Sequence, residues 1–291
     1  MENILITKGS ADYELLDCGH GEKLERYGTA VLSRPDPQAL WPKALSKEEW
    51  MKANAVYTRT GTAGKWEIKE AIAEPWKVSI DDQVFSLKLL PSKHLGLFPE
   101  QSEQWKWIGD KIKKEVSSGR TVSVLNMFAY TGGATMASAK AGASVVHLDA
   151  SKFTVDFANQ NLKNSGLQEK PVRFIVDDVR KFVEREIKRG NKYDVIIMDP
   201  PVYGKGANDE VWKIEEDLMP LMLRLKQIIS QEPVAFILNG YSSGYSHLTY
   251  AEMLKEIMGD FKGSIVSGEL AIKESSKGRL LTTGIFARFE N

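Results

Sequence analysis

The sequence predicts an α/β fold: an open, mostly parallel sheet with helices packed on it, preceded by a small β-rich domain. Three observations carry this. From about residue 120 onward, short apolar strands alternate with amphipathic helical segments, the pattern of repeated strand-helix-strand units. Successive strands there end in an acidic residue, which suits the carboxyl edge of a parallel sheet. Before residue 100 the texture changes to short alternating strands between Gly, Pro and polar turns.

In chain order, Leu24 to Arg34, Tyr57 to Arg59 and Gly64 to Ile68 read as short strands. Trp76, Val78 and Ile80 alternate on one side of Asp81-Asp82, and Phe85, Leu87 and Leu89 on the other, so a hairpin is expected. Six of the seven tryptophans precede residue 110, which implies a separate amino-terminal core. Residues 1–100 are therefore expected to form a β-rich domain with a role in substrate recognition, and residues 101–291 the main domain. Trp105, Ile108, Ile112 and Val116 mark a helix near the junction, ended by Ser117-Ser118-Gly119.

The main domain opens with Val124-Leu-Asn-Met-Phe-Ala-Tyr-Thr-Gly-Gly-Ala134, where an apolar strand breaks at a Thr-Gly-Gly turn and enters an Ala-rich helix. Gly132 and Gly133 permit a tight turn and a close approach of ligand to backbone, and the helix start presents N–H groups to an anion. Ala143 to Asp149 reads as the next strand, and Ser151 caps a helix carrying Phe153, Phe157, Ala158 and Leu162. Val172 to Val176 forms a third strand ending in Asp177-Asp178. Val179, Phe182, Val183 and Ile187 then follow at helical spacing, and Gly190-Asn191 stops that helix. Val195 to Met198 is a fourth strand, running into Asp199-Pro200-Pro201-Val202-Tyr203-Gly204, and Val234 to Leu238 a fifth, before Asn239-Gly240. Ser264 to Ile272 and Leu280 to Phe289 alternate around Ser275-Ser-Lys-Gly278 as a terminal hairpin.

Any one of these acids is explained as a helix cap, worth about 1 kcal/mol. The series Asp149, Asp177 or Asp178, and Asp199 at three successive strand ends, together with the glycine turn, points instead to a ligand crevice. An acid some twenty residues beyond a glycine turn is well placed for ribose hydroxyls, so an adenosine cofactor is expected.

These motifs carry a family resemblance. Phe128-Ala-Tyr-Thr-Gly-Gly133, Asp149-Ala150-Ser151, Asp177-Asp-Val179 and Asp199-Pro-Pro-Val-Tyr-Gly204 resemble class I S-adenosylmethionine-dependent methyltransferases. More narrowly they resemble the bacterial large-subunit (23S) rRNA cytosine-C5 enzymes, from about residue 85 to the end. The resemblance implies a Rossmann-like, seven-stranded sheet with a terminal antiparallel hairpin. It implies that Ala129, Tyr130, Thr131, Gly132 and Gly133 wrap the methionine part of S-adenosyl-L-methionine, and that Asp149, with Ala150 and Ser151, faces the ribose. Asp178 would receive the adenine amino group beside the Val179 amide. Asn126 stands where many relatives carry an acid and would contact the methionine amine more weakly. Gly96-Leu-Phe-Pro-Glu-Gln101 resembles a family segment whose glutamine approaches the cofactor, which offers Gln101 that role; as an ordinary turn, it would precede a helix capped by Ser102. S-adenosyl-L-homocysteine would be the product.

In-line methyl transfer requires donor and nucleophile to be held near contact, about 3 to 3.5 Å apart. Asp199 with Pro200 and Pro201 suits the floor of such a site, and Tyr203 is placed either to stack on a planar base or to pack as wall. Cytosine-C5 chemistry also needs a thiolate. The places where relatives keep one hold Val202-Tyr203 and Asn239-Gly240-Tyr241, and Cys18, the single cysteine, lies in the amino-terminal region. The departure favours an acceptor needing no covalent step, such as a ring or exocyclic nitrogen.

Composition narrows the rest. Lys plus Arg is 39 and Asp plus Glu is 39, so no global basic field announces nucleic acid. The basic runs Lys106 to Lys114 and Arg180 to Lys192 lie on expected helices with interspersed acids and read as solvated faces. One cysteine excludes an internal disulfide and a cysteine metal cluster, and no metal is expected. No apolar run approaches the ~18 residues of a membrane span, and the first residues lack a leader pattern, so a cytoplasmic protein is expected. The function expected is methylation of RNA, in particular 23S rRNA. The rivals are a methyltransferase for a small molecule or protein side chain, and a non-catalytic RNA-binding or assembly protein that keeps the cofactor fold.

Overall fold

The structure is a computed structural model that describes residues 3–60, 63–206, 210–241 and 244–291. The chain begins with β1 (Asn3–Thr7), β2 (Tyr13–Gly19), β3 (Glu22–Tyr27) and β4 (Ala30–Pro35). Helix α1 (Lys47–Met51) precedes β5 (Ala55–Thr60), β6 (Ala63–Ile68), β7 (Lys77–Ile80) and β8 (Gln83–Ser86). Strands β2 to β6 form a five-stranded sheet in chain order, and β7 and β8 a separate pair. That pair is the hairpin expected around Asp81-Asp82, whose φ values are 49° and 61°. Tight two-residue hairpins need the left-handed region at both positions, and aspartate tolerates it better than most residues.

The chain divides into two compact units. One comprises Ile6–Ser102 with Leu270–Thr283, and the other Met1–Leu5, Glu103–Glu269 and Gly284–Asn291. The division therefore differs from a single cut at residue 100 in two places: the first residues group with the larger unit, and Leu270–Thr283 groups with the amino-terminal one. Within the amino-terminal unit the tryptophans are only part of the core. Glu25 is fully buried, accepting from Tyr13 at 3.0 Å, Tyr27 at 3.1 Å and Arg34 Nε at 2.9 Å, with Lys23 3.7 Å away. Burial alone would raise its carboxyl, but Arg34 and Lys23 outweigh burial and hold it down to about 2.

The larger unit contains α2 (Ser102–Ser117) from Glu103 onward, β9 (Ser123–Met127), α3 (Gly133–Lys140), β10 (Ser144–Asp149), α4 (Lys152–Asn164), β11 (Val172–Val176) and α5 (Val179–Arg189). There follow β12 (Val195–Met198), β13 (Tyr203–Lys205), β14 (Val211–Lys213), α6 (Ile214–Leu225), β15 (Ala235–Tyr241), α7 (His247–Met258), β16 (Ser264–Lys273) and β17 (Leu280–Glu290). The sheet order is β1-β16-β17-β15-β12-β9-β10-β11. Strands β11, β10, β9, β12 and β15 pair in parallel, and β17 pairs antiparallel to β15. This is the expected mostly parallel sheet with one strand more, because β1 joins its edge.

Strand alternation decides which side chains meet which helices. Leu125, Met127, Ile196 and Met198 point to a core completed by Phe182, Leu218, Met222, Tyr250 and Leu254. Val124, Val145, Val195 and Ile197 point the other way, to Ile108, Ile112 and Ala139. The basic side chains of α5 are largely tied to acids: Arg180 to Asp178 and Asp217, Lys181 to Glu210, Arg185 to Asp177, and Arg189 to Glu186.

Candidate active site at the carboxyl edge of the sheet

Register brings the acids into one row. Leu148 pairs with Met127, Met127 with Met198 and Met198 with Leu238, so Asp149, Phe128, Asp199 and Asn239 stand one step further along four adjacent strands. Asp149 also pairs with Val176 at the end of β11. Strand β15 runs past its expected end at Leu238, because Asn239, Gly240 and Tyr241 continue the antiparallel ladder with Phe286, Ile285 and Gly284 of β17.

Between β9 and α3 the backbone is contorted. Phe128, Tyr130 and Gly132 have φ of 53°, 49° and 92°. Only the glycine takes that region without strain; Phe and Tyr are held there at a cost of about 1 to 2 kcal/mol each. The hold is visible. The Ala129 amide donates to Leu148 O at 3.2 Å, the Tyr130 amide to Asp149 Oδ2 at 2.9 Å, and the Phe128 ring meets Trp212 edge-on at 4.8 Å. The Thr131 carbonyl accepts from Asn161 at 3.0 Å. Gly132 is the amino-terminal cap of α3 and offers no capping side chain, so the N–H groups of the first turn are left for an anionic partner. The two glycines serve different ends. At Gly132 the constraint is the positive φ, with Ala158 3.1 Å from where a β-carbon would stand. At Gly133 a β-carbon would overlap the Trp105 ring of α2, so its bareness serves helix packing rather than ligand approach.

Asp149 ties this turn to the next. Its Oδ2 accepts from Tyr130, and its Oδ1 from the Ser151 amide at 2.9 Å and the Thr154 hydroxyl at 3.0 Å. A carboxylate has about four lone-pair sites, so room for a further donor remains. Ser151 is exposed and caps α4 as expected, while Ala150 beside it is half-buried. Asp178 caps α5: Oδ1 accepts from the amides of Arg180 at 2.9 Å and Lys181 at 3.2 Å, and Oδ2 pairs with Arg180 Nη2 at 2.8 Å. Burial opposes its ionisation, but the Arg180 and Lys181 bonds outweigh burial and hold the carboxyl below the usual carboxylate range. Val179 behind it is buried.

Asn126 is only 3% exposed, and its amide donates to Thr135 Oγ1 at 2.9 Å. Thr135 in turn lies 2.8 Å from His147 Nδ1. With Asn126 donating, the threonine proton goes on to His147, which burial keeps neutral by lowering its imidazole to about 3. Asn126 thus braces β9, α3 and β10 from within. Gln101 lies in the short turn Pro99–Gln101, in the other compact unit. Ser102 is the first residue of α2 rather than its cap, with its hydroxyl 3.2 Å from that of Thr7.

On the far side of the row, Asp199 is half-buried and Pro200 buried, whereas Pro201 is exposed. Tyr203 starts the β13–β14 ribbon and is 55% exposed. Trp212 of that ribbon anchors it by donating to Pro201 O at 2.7 Å. Sequence reasoning missed several residues that shape the site: Thr154, Trp105, His147 and Trp212. Thr154 was within reach as a hydroxyl five positions after Asp149. The others have the spacing of ordinary core. Cys18 is fully buried, its thiol donates to Glu274 Oε2 at 3.0 Å, and burial with that carboxylate pushes it up to about 12. A thiol so held is not a nucleophile at neutral pH. Among the described residues no group of His, Cys, Asp and Glu is arranged for a metal, and no helix is long and apolar enough to cross a membrane.

S-adenosylmethionine carries a carboxylate, a ribose diol and an adenine ring whose flat face packs on apolar surface. The uncapped start of α3 suits the carboxylate and Asp149 the diol, while Val176, 41% exposed at the end of β11, leaves apolar surface beside Asp149.

Comparison with known proteins bears on the fold and the family. The chain is similar throughout to the crystal structure of an S-adenosylmethionine-dependent methyltransferase from Agrobacterium tumefaciens, with 36% identity and a TM-score of 0.92 over 99% of this chain and 93% of that one. It is 23% identical over 239 residues to ribosomal RNA large subunit methyltransferase K of Neisseria meningitidis, covering 76% of this chain. It is 41% identical over 95 residues, 32% of this chain, to ribosomal RNA large subunit methyltransferase I of Aeromonas salmonicida. The matches span 63% and 23% of the lengths of those two relatives. Residues 41–236 match the family model described as S-adenosylmethionine-dependent methyltransferase, and the chain belongs to that family.

Proposed function

We propose that this protein transfers the methyl group of S-adenosylmethionine to a base of large-subunit ribosomal RNA, at a nitrogen rather than at cytosine carbon 5. The observation that carries the reading is the row Asp149, Phe128, Asp199 and Asn239 beside the strained Phe128–Gly132 turn. The names of the ribosomal RNA relatives support the substrate. The inert thiol of Cys18 supports a mechanism without a covalent enzyme–base adduct.

In this reading the cofactor supplies an activated methyl group on a sulfonium, and the chain supplies position and polarity. Ala129 to Gly133 and the start of α3 hold the methionine carboxylate. Asp149 accepts from the ribose hydroxyls with the lone pairs that Tyr130, Ser151 and Thr154 leave over. Asp178 and the Val179 amide border the adenine edge. Asp199 accepts a hydrogen bond from the base, Pro200 stiffens the backbone beside it, and Tyr203 stacks on the base plane. The β-rich unit serves substrate recognition.

Calorimetry tests the cofactor site: Asp149→Ala weakens S-adenosylmethionine binding by roughly tenfold or more, about 1.4 kcal/mol. Unchanged affinity would refute the ribose assignment. Mass spectrometry of ribosomal RNA from cells with and without the gene tests the substrate. One methylated nucleotide disappears in the deletion strain, and an identical set of modifications in both strains would overturn the RNA reading.

A further inference from the structure

No step of methyl transfer falls to His147, yet it lies against the turn assigned to the cofactor. It sits in β10 and is fully buried. Asn126 of β9 donates to Thr135 Oγ1 at 2.9 Å, and that hydroxyl stands 2.8 Å from His147 Nδ1. A hydroxyl that accepts from one neighbour gives its own proton to the other, so Nδ1 is the acceptor. Burial keeps the ring neutral, and a neutral ring with a bare Nδ1 carries its proton on Nε2. Nε2 is the atom that has no hydrogen-bond partner among the described residues. A buried donor in that condition is rare enough in folded proteins to need a reason.

The place of the ring supplies one. Leu148 and Asp149, the next two residues of β10, hold the turn by accepting from the Ala129 amide at 3.2 Å and the Tyr130 amide at 2.9 Å. The imidazole reaches the same turn, since its Cε1 is 3.7 Å from where a β-carbon on Gly132 would stand. The Phe174 ring, 5.0 Å away centre to centre, covers it toward β11. The amides of Ala129, Tyr130 and Gly132 already donate, the last to the Ala129 carbonyl at 3.1 Å. What these residues offer a buried neighbour is therefore carbonyl oxygen, which suits an N–H and not a bare lone pair. The Tyr130 backbone accordingly offsets part of the effect of burial on the ring.

We propose that His147 is a positioning residue of the cofactor turn: Thr135 locks it as the Nε2–H tautomer, and that N–H is held for the backbone of Tyr130 to Gly132, completing its bond there when the cofactor seats. The proposal rests on the reading of Ala129 to Gly133 as the segment that holds the methionine carboxylate. A donor fixed in advance by its neighbours favours one orientation of a strained turn, the one that the bound cofactor selects.

Nitrogen-15 NMR of histidine-labelled protein tests this. The His147 resonances are the set lost in His147→Gln. In the free protein Nδ1 resonates as a bare acceptor and Nε2 as a protonated nitrogen. Saturation with S-adenosylhomocysteine moves the Nε2–H proton downfield and slows its exchange with solvent. Thr135→Val keeps the shape of the side chain but removes the hydroxyl; the single tautomer is lost, and calorimetry shows S-adenosylmethionine binding weakened by roughly fivefold or more. Thr135→Ser restores both. A protonated Nδ1 in the free protein, or an Nε2–H that saturating cofactor leaves unmoved, overturns the proposal, as does a Thr135→Val protein that binds as tightly as the parent. If Asp149→Ala leaves the affinity unchanged while His147 keeps its tautomer, the cofactor reading of this crevice fails and the Thr135–His147 lock stands.

Discussion

Phe128 and Tyr130 carry side chains in a backbone region that costs non-glycine residues free energy, and the turn is held by the Ala129 amide donating to the Leu148 carbonyl and the Tyr130 amide donating to the Asp149 carboxylate. Strain held in this manner is characteristic of binding turns. Its neighbours bear different loads, and substitution separates them. Gly133→Ala forces a methyl group into the Trp105 ring, an overpacking cost of about 1 to 3 kcal/mol. In urea unfolding, Trp105→Leu combined with Gly133→Ala costs less than the two single changes summed, by about 1 kcal/mol or more; strict additivity would mean that the ring does not set the limit. His147 makes a second prediction at this scale. Its folded pKa of about 3 lies below the ordinary value of 6.5, so the unfolded chain binds the proton first. The stability it contributes is complete above pH 6.5 and is lost as pH falls from there through about 3. His94, lowered to about 4 by burial and then by Arg34, acts in the same direction. His147→Gln keeps an acceptor for Thr135 without titrating. Between pH 6 and 4 its unfolding free energy falls less steeply than the parent's, by about 1.4 kcal/mol per pH unit; equal slopes would contradict the assignment.

At the scale of elements, Asp178 caps α5 and is a proposed cofactor ligand, two roles that one substitution confounds and a pair resolves. As the cap of α5, its loss in Asp178→Ala costs about 1 to 2 kcal/mol, read as a lowered melting temperature. Asp178→Ser restores a capping oxygen and most of that stability. If the carboxylate also receives the adenine amino group, cofactor affinity falls in both variants; recovery of binding along with stability in the serine variant would leave Asp178 a cap alone. The same residue shows what a sequence discloses about elements. A cap and a ligand acid have one signature, Asp before a helical repeat, and only the number of such sites at adjacent strand ends favours a crevice. The buried parallel strands were legible because apolar runs such as Val195 to Met198 stop sharply at an acid. The end of β15 was not, since Asn239 and Gly240 look like a turn and are kept extended by β17, a partner some forty residues away.

For the whole molecule, long-range pairing decides what local patterns cannot. Strand β1 (Asn3–Thr7) is a short apolar run, Ile4-Leu5-Ile6, whose place beside β16 depends on contacts such as Asn3 Nδ2 to Ser267 O at 3.4 Å, across the length of the chain. The segment Leu270–Thr283 likewise groups with Ile6–Ser102 through side chains that no motif marks. Arg279 bonds to Asp17 Oδ1 at 3.1 Å and to the Cys18 carbonyl at 2.9 Å, Glu274 accepts from the Cys18 amide at 3.1 Å, and Ser276 donates to Asp17 at 2.9 Å. Asp17 and Glu274 are both buried. Removing one side of such a network strands ionised groups, a penalty of about 3 to 5 kcal/mol for a buried pair. Cutting the chain at the apparent boundary does just that. A fragment of residues 103–291 retains Leu270, Ile272, Glu274 and Leu281, each at most 1% exposed in the intact protein, but lacks their amino-terminal unit. It is expected to aggregate, or to unfold without a cooperative transition, when followed by size-exclusion chromatography and thermal circular dichroism. A monodisperse fragment with a sharp transition near that of the full chain would show that the carboxyl-terminal strands hold their fold without residues 6–102.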